Sequence, residues 1–360
     1  MKKKLLFVAL MITGVLAVAG CKKNENTSEP VSEVTQEYDI VSMNMDDYMV
    51  LGEYKNLEIP YNKLEVTEES IIEQKELMIN AKADKIGIKE GECKEGDIIN
   101  FDFEGKLDGV AFEGGTAKGK KCVVGSGGYI AGFEDALIGM HPGETKDAPL
   151  TFPEEYSNKD LAGKDVIFTL TLNYFYPSVD DLTDEMVAAM DDKDFGSTVE
   201  EFDAFALKVL KQQAEDANRT NILGLAFEKI VGDCTFNEIP EVIYNNQRTE
   251  LEIRYADALA GGAYSLDTVT EYLYECSADE LITLYSKQRM AIQAIAKKEG
   301  ITASDEEVEA RLNELADAYG MTPENYLTVY MTTRPKLREH LISEKVQDFI
   351  YDNVKVVPNK

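Results

Sequence analysis

Between Gly91 and Tyr176 the chain is cut into short pieces by turn signals. They recur as EGD at 95–97, LDG at 107–109, EGG at 113–115, GSGG at 125–128 and HPGE at 141–144. The runs between them, IINFDFEG, KKCVV, APLTF and DVIFTLTLNYF, alternate apolar and polar residues, which is the period of a half-buried strand. Short strands joined this tightly are expected to pair antiparallel. One stretch breaks the pattern: IAGFEDALIGM at 130–140 sets Ile130, Phe133, Leu137 and Met140 on one helical stripe. A sheet with a single short helix laid over it is the packing this implies.

The helical stretch is entered through Gly125, Gly127 and Gly128, which invites a phosphate-loop reading. A dinucleotide loop needs G-x-G-x-x-G between a parallel strand and a helix. Here Ile130 stands at the sixth position, the flanking strands are short, and no Walker lysine follows. The glycines are expected instead to turn the backbone sharply, so that Ile130 and Phe133 face inward.

Beyond Pro177 the texture becomes helical as far as Val357. Ser197-x-x-Glu200 and Ser304-x-x-Glu307 read as capping boxes, Gly320 as a helix-ending glycine, and Thr322-Pro323 as a helix start. Upstream, residues 46–90 read as a short extended segment around YKNLEIPYN. A helix follows, capped by Thr67 with Glu68 and Glu69 in its first turn.

The N-terminus has a different logic. Lys2, Lys3 and Lys4 precede the apolar run LLFVALMITGVLAV, and Val18-Ala19-Gly20-Cys21 follows. Residues 1–20 read as a signal peptide. A cysteine at the first mature position resembles the bacterial lipobox, in which Cys21 would carry lipid; two acyl chains anchor stably where one does not. Residues 21–45 are polar and read as a disordered tether. The net charge of −30 opposes a nucleic-acid partner, because phosphates would be repelled. Cys93, Cys122, Cys234 and Cys276 fit no zinc spacing and contain no C-x-x-C, so they read as buried small apolar residues. His141 and His340 stand apart with no ligand cluster, and neither a metal nor a cofactor is expected.

Gly96-Asp97, IINFDFEGKLDGVAFEGG at 98–115, VGSGGYIAGFEDALIGMHPGE at 124–144 and LTFPEEYSNKDLAGKDVIFTLTL at 150–172 together resemble the FKBP-type peptidyl-prolyl isomerase domain, in the form found in bacterial trigger factor. VDDLTDEMVAAMDDKDFGSTVEEF and FEKIVGDCTFNEIPEVIYNNQ resemble the chaperone domain of the same family. The resemblance implies an α+β protein: an FKBP-like antiparallel sheet wrapped on a short helix over 91–176, plus an all-α trigger-factor-type chaperone domain over 177–360. The segment 46–90 is expected to pack with the helical domain. The lipobox and tether stand where the family carries its ribosome-docking domain, so ribosome binding is not expected.

By motif position the resemblance implies a proline-binding pocket of Phe103, Phe112, Ile130, Phe133, Tyr156 and Phe168, with Glu113 and Tyr129 at its rim. Phe133 would be the floor, and the Ile130 amide would bind a substrate carbonyl. Three positions depart from the wider FKBP pattern: Phe133 for a common Trp, Glu113 for Asp, and Lys120 where an aromatic is usual. The expected activity is prolyl isomerisation joined to chaperoning of unfolded or nascent secreted polypeptides, at the outer face of the cell membrane. A holdase with a weak or silent isomerase site is the alternative. A solute-capturing lipoprotein would need two lobes of alternating strand and helix, which the chain does not show.

Overall fold

The computed structural model describes residues 39–260 and 262–359. The expected signal peptide, Cys21 and the tether as far as residue 38 lie outside the described residues. The described residues divide into two compact units: residues 65–214, and a discontinuous body that joins 39–64 to residues from 215 onward.

In the continuous unit, four strands form one antiparallel sheet in the order Val110–Val123, Ile98–Leu107, Asp165–Phe175, Thr145–Thr151. The LDG signal closes the first hairpin. Leu107 pairs with Val110, and Asp108 and Gly109 both take positive φ, 51° and 82°, as a two-residue turn matching the strand twist requires. On the packed face lie Ile99, Phe101, Leu170 and Leu172, none more than 1% exposed. Phe133, Leu137 and Met140 lie over them in the same core.

The stretch expected as the short helix is wound differently. Residues 131–139 are consecutive turns, with Phe133 N–H donating to Ile130 O, Leu137 to Glu134 O and Met140 to Leu137 O, each at 3.1 Å. Gly132 and Gly139, at φ 81° and 84°, interrupt a regular helical path. The apolar stripe survives because three-residue turns place 130, 133, 137 and 140 on one side almost as well as a helix does. The sheet is therefore wrapped on a helix-like coil, and the α+β class of the chain holds.

A second core of this unit joins Met78 and Ile79 of the helix Glu68–Ala81 to Val187, Met190, Phe195 and Phe202. The body is helical. Helix Ala278–Glu299 is buried on most sides and packs with Glu241–Arg254 and Arg334–Asn353, and Phe227, Ile230, Ile295, Val346 and Ile350 share its core. Two small ribbons complete the body. Met49–Val50 pairs antiparallel with Thr235–Phe236, and Glu58–Pro60 pairs parallel with Lys355–Val357.

Three segments pack with neighbours other than those expected. The tether does not extend to residue 45, because Ile40 and Met45 are each 1% exposed in the body's core. The segment 46–90 does not act as one piece: its strands join the body, whereas its helix packs in the continuous unit. Residues 177–214, expected with the chaperone domain, also belong to the continuous unit. Local signals cannot show any of this, because it depends on which distant apolar face each segment covers.

The caps are closer to expectation. Ser304 and Glu307 form their box, Thr322 caps with Pro323 in the first turn, and Tyr319 precedes Gly320 at φ 63°. Helix Val199–Asp233 starts one residue later than its expected box. Thr198 Oγ1 accepts from Glu201 N, and the Glu201 carboxylate reaches back to Ser197 N at 2.7 Å. That contact holds the Glu201 carboxyl below its usual range, with the Ser197 amide as the largest cause.

Ser304→Ala is expected to lower stability by about 1 kcal/mol through loss of the cap. Ile59→Ala, which empties a site 1% exposed in the middle of the parallel ribbon strand, is expected to cost roughly 2–5 kcal/mol. Urea unfolding of both variants checks the order.

Candidate active site

Strands Ile98–Leu107 and Asp165–Phe175 lie side by side and direct Phe101, Phe103 and Phe168 onto the core face. Phe133, from the turn coil, meets all three. Its ring centroid lies 6.0 Å from Phe101, 5.6 Å from Phe103 and 5.1 Å from Phe168, each edge to face, an arrangement favoured by the ring quadrupole. Phe112 reaches the same cluster from the neighbouring strand, 5.8 Å from Phe168 at 90°. Glycine makes that seat: a Cβ on Gly105 or Gly115 would come within 2.5 Å of the Phe112 ring. Tyr156 joins through Phe152, at 4.6 Å.

The cluster is graded in exposure. Phe133 and Phe168 are 1% and 5% exposed, while Phe103, Phe112, Tyr129, Ile130 and Tyr156 are half-buried around them. The six residues expected to line a pocket thus come together in one cluster, Phe133 and Phe168 buried and the other four half-buried. Glu113 is exposed, next in sequence to Phe112. Lys120 is exposed as well, opposite Phe101 in the strand register, so it adds no ring to the cluster.

Tyr129, expected at the rim, packs directly on the cluster. Its ring lies flat on Phe133, with centroids 4.5 Å apart and planes 9° apart, and it also meets Phe101 edge to face. Burial pushes the Tyr129 hydroxyl above its usual range. Two further rings complete the cluster, Phe101 and Phe152, which are 0% and 4% exposed. The alternation in IINFDF sets Phe101 and Phe103 two residues apart, hence on one face, and that is the signal for the first. Nothing local marks Phe152.

The glycine loop binds a carboxylate from its own chain. Glu134, 8% exposed, accepts from Gly127 N at 3.0 Å and Gly128 N at 2.8 Å. Amides that could have cradled a phosphate are thereby satisfied internally, and the loop is tied to the residue beside Phe133. Among the described residues, no hydrogen bond takes up the Ile130 N–H.

There is no acid–base machinery in the cluster. His141 sits in the turn outside it, its Nδ1 2.7 Å from the Gly91 carbonyl. Burial pushes the Cys93 thiol up to about 11, so it stays protonated at neutral pH. Cys93, Cys122 and Cys234 are free thiols, the first two buried and the third half-buried. Among the described residues no group of His, Cys, Asp or Glu could hold a metal ion.

Residues 198–352 match the family model of the bacterial trigger factor protein C-terminus, and residues 89–173 match that of the FKBP-type peptidyl-prolyl cis-trans isomerase. Trigger factor of Carboxydothermus hydrogenoformans is 32% identical over 359 residues, spanning 93% of this chain and 81% of the relative. The chain belongs to the trigger factor family. Trigger factor of Anoxybacillus flavithermus is 34% identical, over 86% of this chain and 73% of its own. The aromatic cluster lies wholly within the matched isomerase segment, so this member of the family is a chaperone that carries a peptidyl-prolyl isomerase domain.

Removing the Glu134 carboxylate leaves two glycine amides without their acceptor, at about 1–3 kcal/mol. Glu134→Ala is therefore expected to shift the Gly127 and Gly128 amide resonances and to lower isomerase kcat/KM about tenfold. Glu134→Gln keeps one acceptor oxygen and should fall between the two. Heteronuclear NMR and a coupled prolyl-peptide assay read these effects.

Proposed function

We propose that the aromatic cluster is the site of prolyl isomerisation and that the protein works as a lipid-anchored folding factor outside the cytoplasm. The observation that carries the first part is the convergence of Phe103, Phe112, Phe133 and Phe168 on one another, beside an Ile130 amide with no internal partner.

The reaction is rotation about an X–Pro bond with a barrier of about 18–20 kcal/mol. No bond breaks and no proton has to move. The barrier arises from amide resonance, which leaves charge on the carbonyl oxygen, and twisting the bond removes that charge separation. A planar amide therefore loses more hydration than a twisted one on entering an apolar wall of rings, and the difference lowers the barrier. In this reading the prolyl ring packs among Phe103, Phe112 and Phe168, with Phe133 beneath and Tyr156 and Tyr129 bounding the substrate. The Ile130 N–H binds a substrate carbonyl and fixes the peptide's direction. Glu113 lies at the edge, where it contacts flanking residues of the chain being isomerised.

The helical body supplies the chaperone function. Tyr272, 85% exposed, together with Leu273 and Tyr264, offers apolar surface to unfolded polypeptides. The anchoring reading rests on Lys2–Lys4, the apolar run and Cys21 in sequence. At the outer membrane face the clients are secreted chains with X–Pro bonds, not chains on ribosomes. A net charge of −30 keeps the protein soluble there and favours basic clients.

Phe168→Ala and Phe112→Ala are each expected to lower the catalysed rate about tenfold or more in a proline-limited refolding assay, with suppression of aggregation of a proline-free client retained. Equal isomerase rates for wild type and both variants would leave the holdase reading in its place. Because no titrating group takes part, the rate should be flat from about pH 6 to 8, where a histidine-based mechanism would bend. Cys21→Ser is expected to move the protein from the membrane to the soluble fraction.

A further inference from the structure

The body contains a cavity of about 150 Å³ where helices Glu241–Arg254, Ala278–Glu299, Asp305–Ala318 and Arg334–Asn353 converge. A cavity of that size holds a ring the size of benzene. Ile253, Ile292 and Leu315 give it apolar walls, and it reaches the surface beside the exposed Met331 and Glu344.

Its polar groups are out of balance. Four cations line it, Arg254, Arg289, Arg311 and Lys336, against three carboxylates, Glu250, Glu339 and Glu344. All three carboxylates are engaged. Arg289 donates to Glu339 at 2.6 Å and to Glu250 at 3.1 Å, and Arg311 pairs with Glu344. Among the described residues, Arg254 and Lys336 have no carboxylate within ion-pair distance, although both are half-buried and Lys336 lies within electrostatic reach of Glu250. Two further lining residues are almost wholly buried and hold polar atoms without a protein partner, Tyr285 at its hydroxyl and Gln293 at its Nε2. Burial pushes the Tyr285 hydroxyl far above its usual range, which keeps it a neutral O–H. His340 also lines the cavity. In a chain of charge −30, this cavity presents more cations than carboxylates, and the carboxylates are already paired. Half-buried cations and buried donors left in that state call for an acceptor from outside.

We propose that this cavity binds a small monocarboxylate with an apolar body the size of a ring or a branched side chain. Arg254 and Lys336 take the carboxylate, and the apolar walls take the body. Either a free organic acid or the last residue of an unfolded polypeptide offers that chemistry. The site belongs to the helical body, and it stands or falls independently of the isomerase reading.

The test is calorimetric titration of the full chain with N-acetyl-L-phenylalanine, N-acetyl-L-phenylalaninamide and a short unstructured peptide ending in a phenylalanine carboxylate. The acid is expected to bind about tenfold more tightly than the neutral amide, and less tightly as salt is raised. Arg254→Gln/Lys336→Gln should weaken the acid about tenfold and leave the amide unchanged, each single change giving about half that effect on a logarithmic scale. Thermal unfolding of each variant checks the fold, and the single variants carry the test if the double one does not fold. Binding of the peptide as tight as that of the free acid assigns the site to chain termini, and binding of the free acid alone assigns it to small molecules. Equal affinity for acid and amide, unchanged acid binding in the folded variants, or no saturable heat up to about 10 mM acid would overturn the proposal.

Discussion

Glu134 holds the amides of Gly127 and Gly128 while its neighbour Phe133 sits at the centre of the ring cluster, so one adjacent pair ties the loop to the floor beneath it. The glycines give the backbone its sharp path, but glycine alone leaves a loop with many conformations. The buried carboxylate selects one of them. With the loop fixed, Tyr129 is laid on Phe133 and the Ile130 amide is left without an internal partner. Order in the site thus comes from a polar contact, although every residue proposed to touch the prolyl ring is apolar or aromatic.

The two units handle polarity in opposite ways. The rings proposed to meet the prolyl group carry no charge, which suits a reaction whose transition state is less polar than its ground state, and the one buried carboxylate beside them, Glu134, is taken up by loop amides. The helical body buries charge and pairs most of it, with Arg289 held between Glu339 and Glu250. Breaking such a pair by removing one partner costs far more than the pair contributes, so these groups constrain how the helices can be rearranged. A chaperone surface of replaceable contacts can be carried on such a frame because the frame itself is strictly specified.

The sheet, its hairpin and most helix starts were legible because each depends on residues close in sequence. Asp108-Gly109, Ser304 with Glu307, and Thr322-Pro323 act within a few residues, and the structure places them where their chemistry requires. The helix over 130–140 was legible as an apolar stripe but not as a regular coil, because Gly132 and Gly139 change the path without moving the stripe. The site rings could be assembled only through family resemblance. Phe152 and Glu134 look like any other phenylalanine and glutamate until distant strands bring their partners alongside. Ile40 and Met45 sit in a polar stretch, and only the body's core shows what they are for.

The ribbon between Glu58–Pro60 and Lys355–Val357 joins residues almost three hundred positions apart, near the two ends of the described chain. The intervening unit is continuous in sequence and can gather its own contacts as soon as its last residue is available. The helical body cannot close until residues 355–357 arrive. During synthesis this chain therefore spends an interval with one half settled and the other still waiting for its clasp. In that interval a folding factor is itself an unfinished polypeptide, with the needs of the chains it serves.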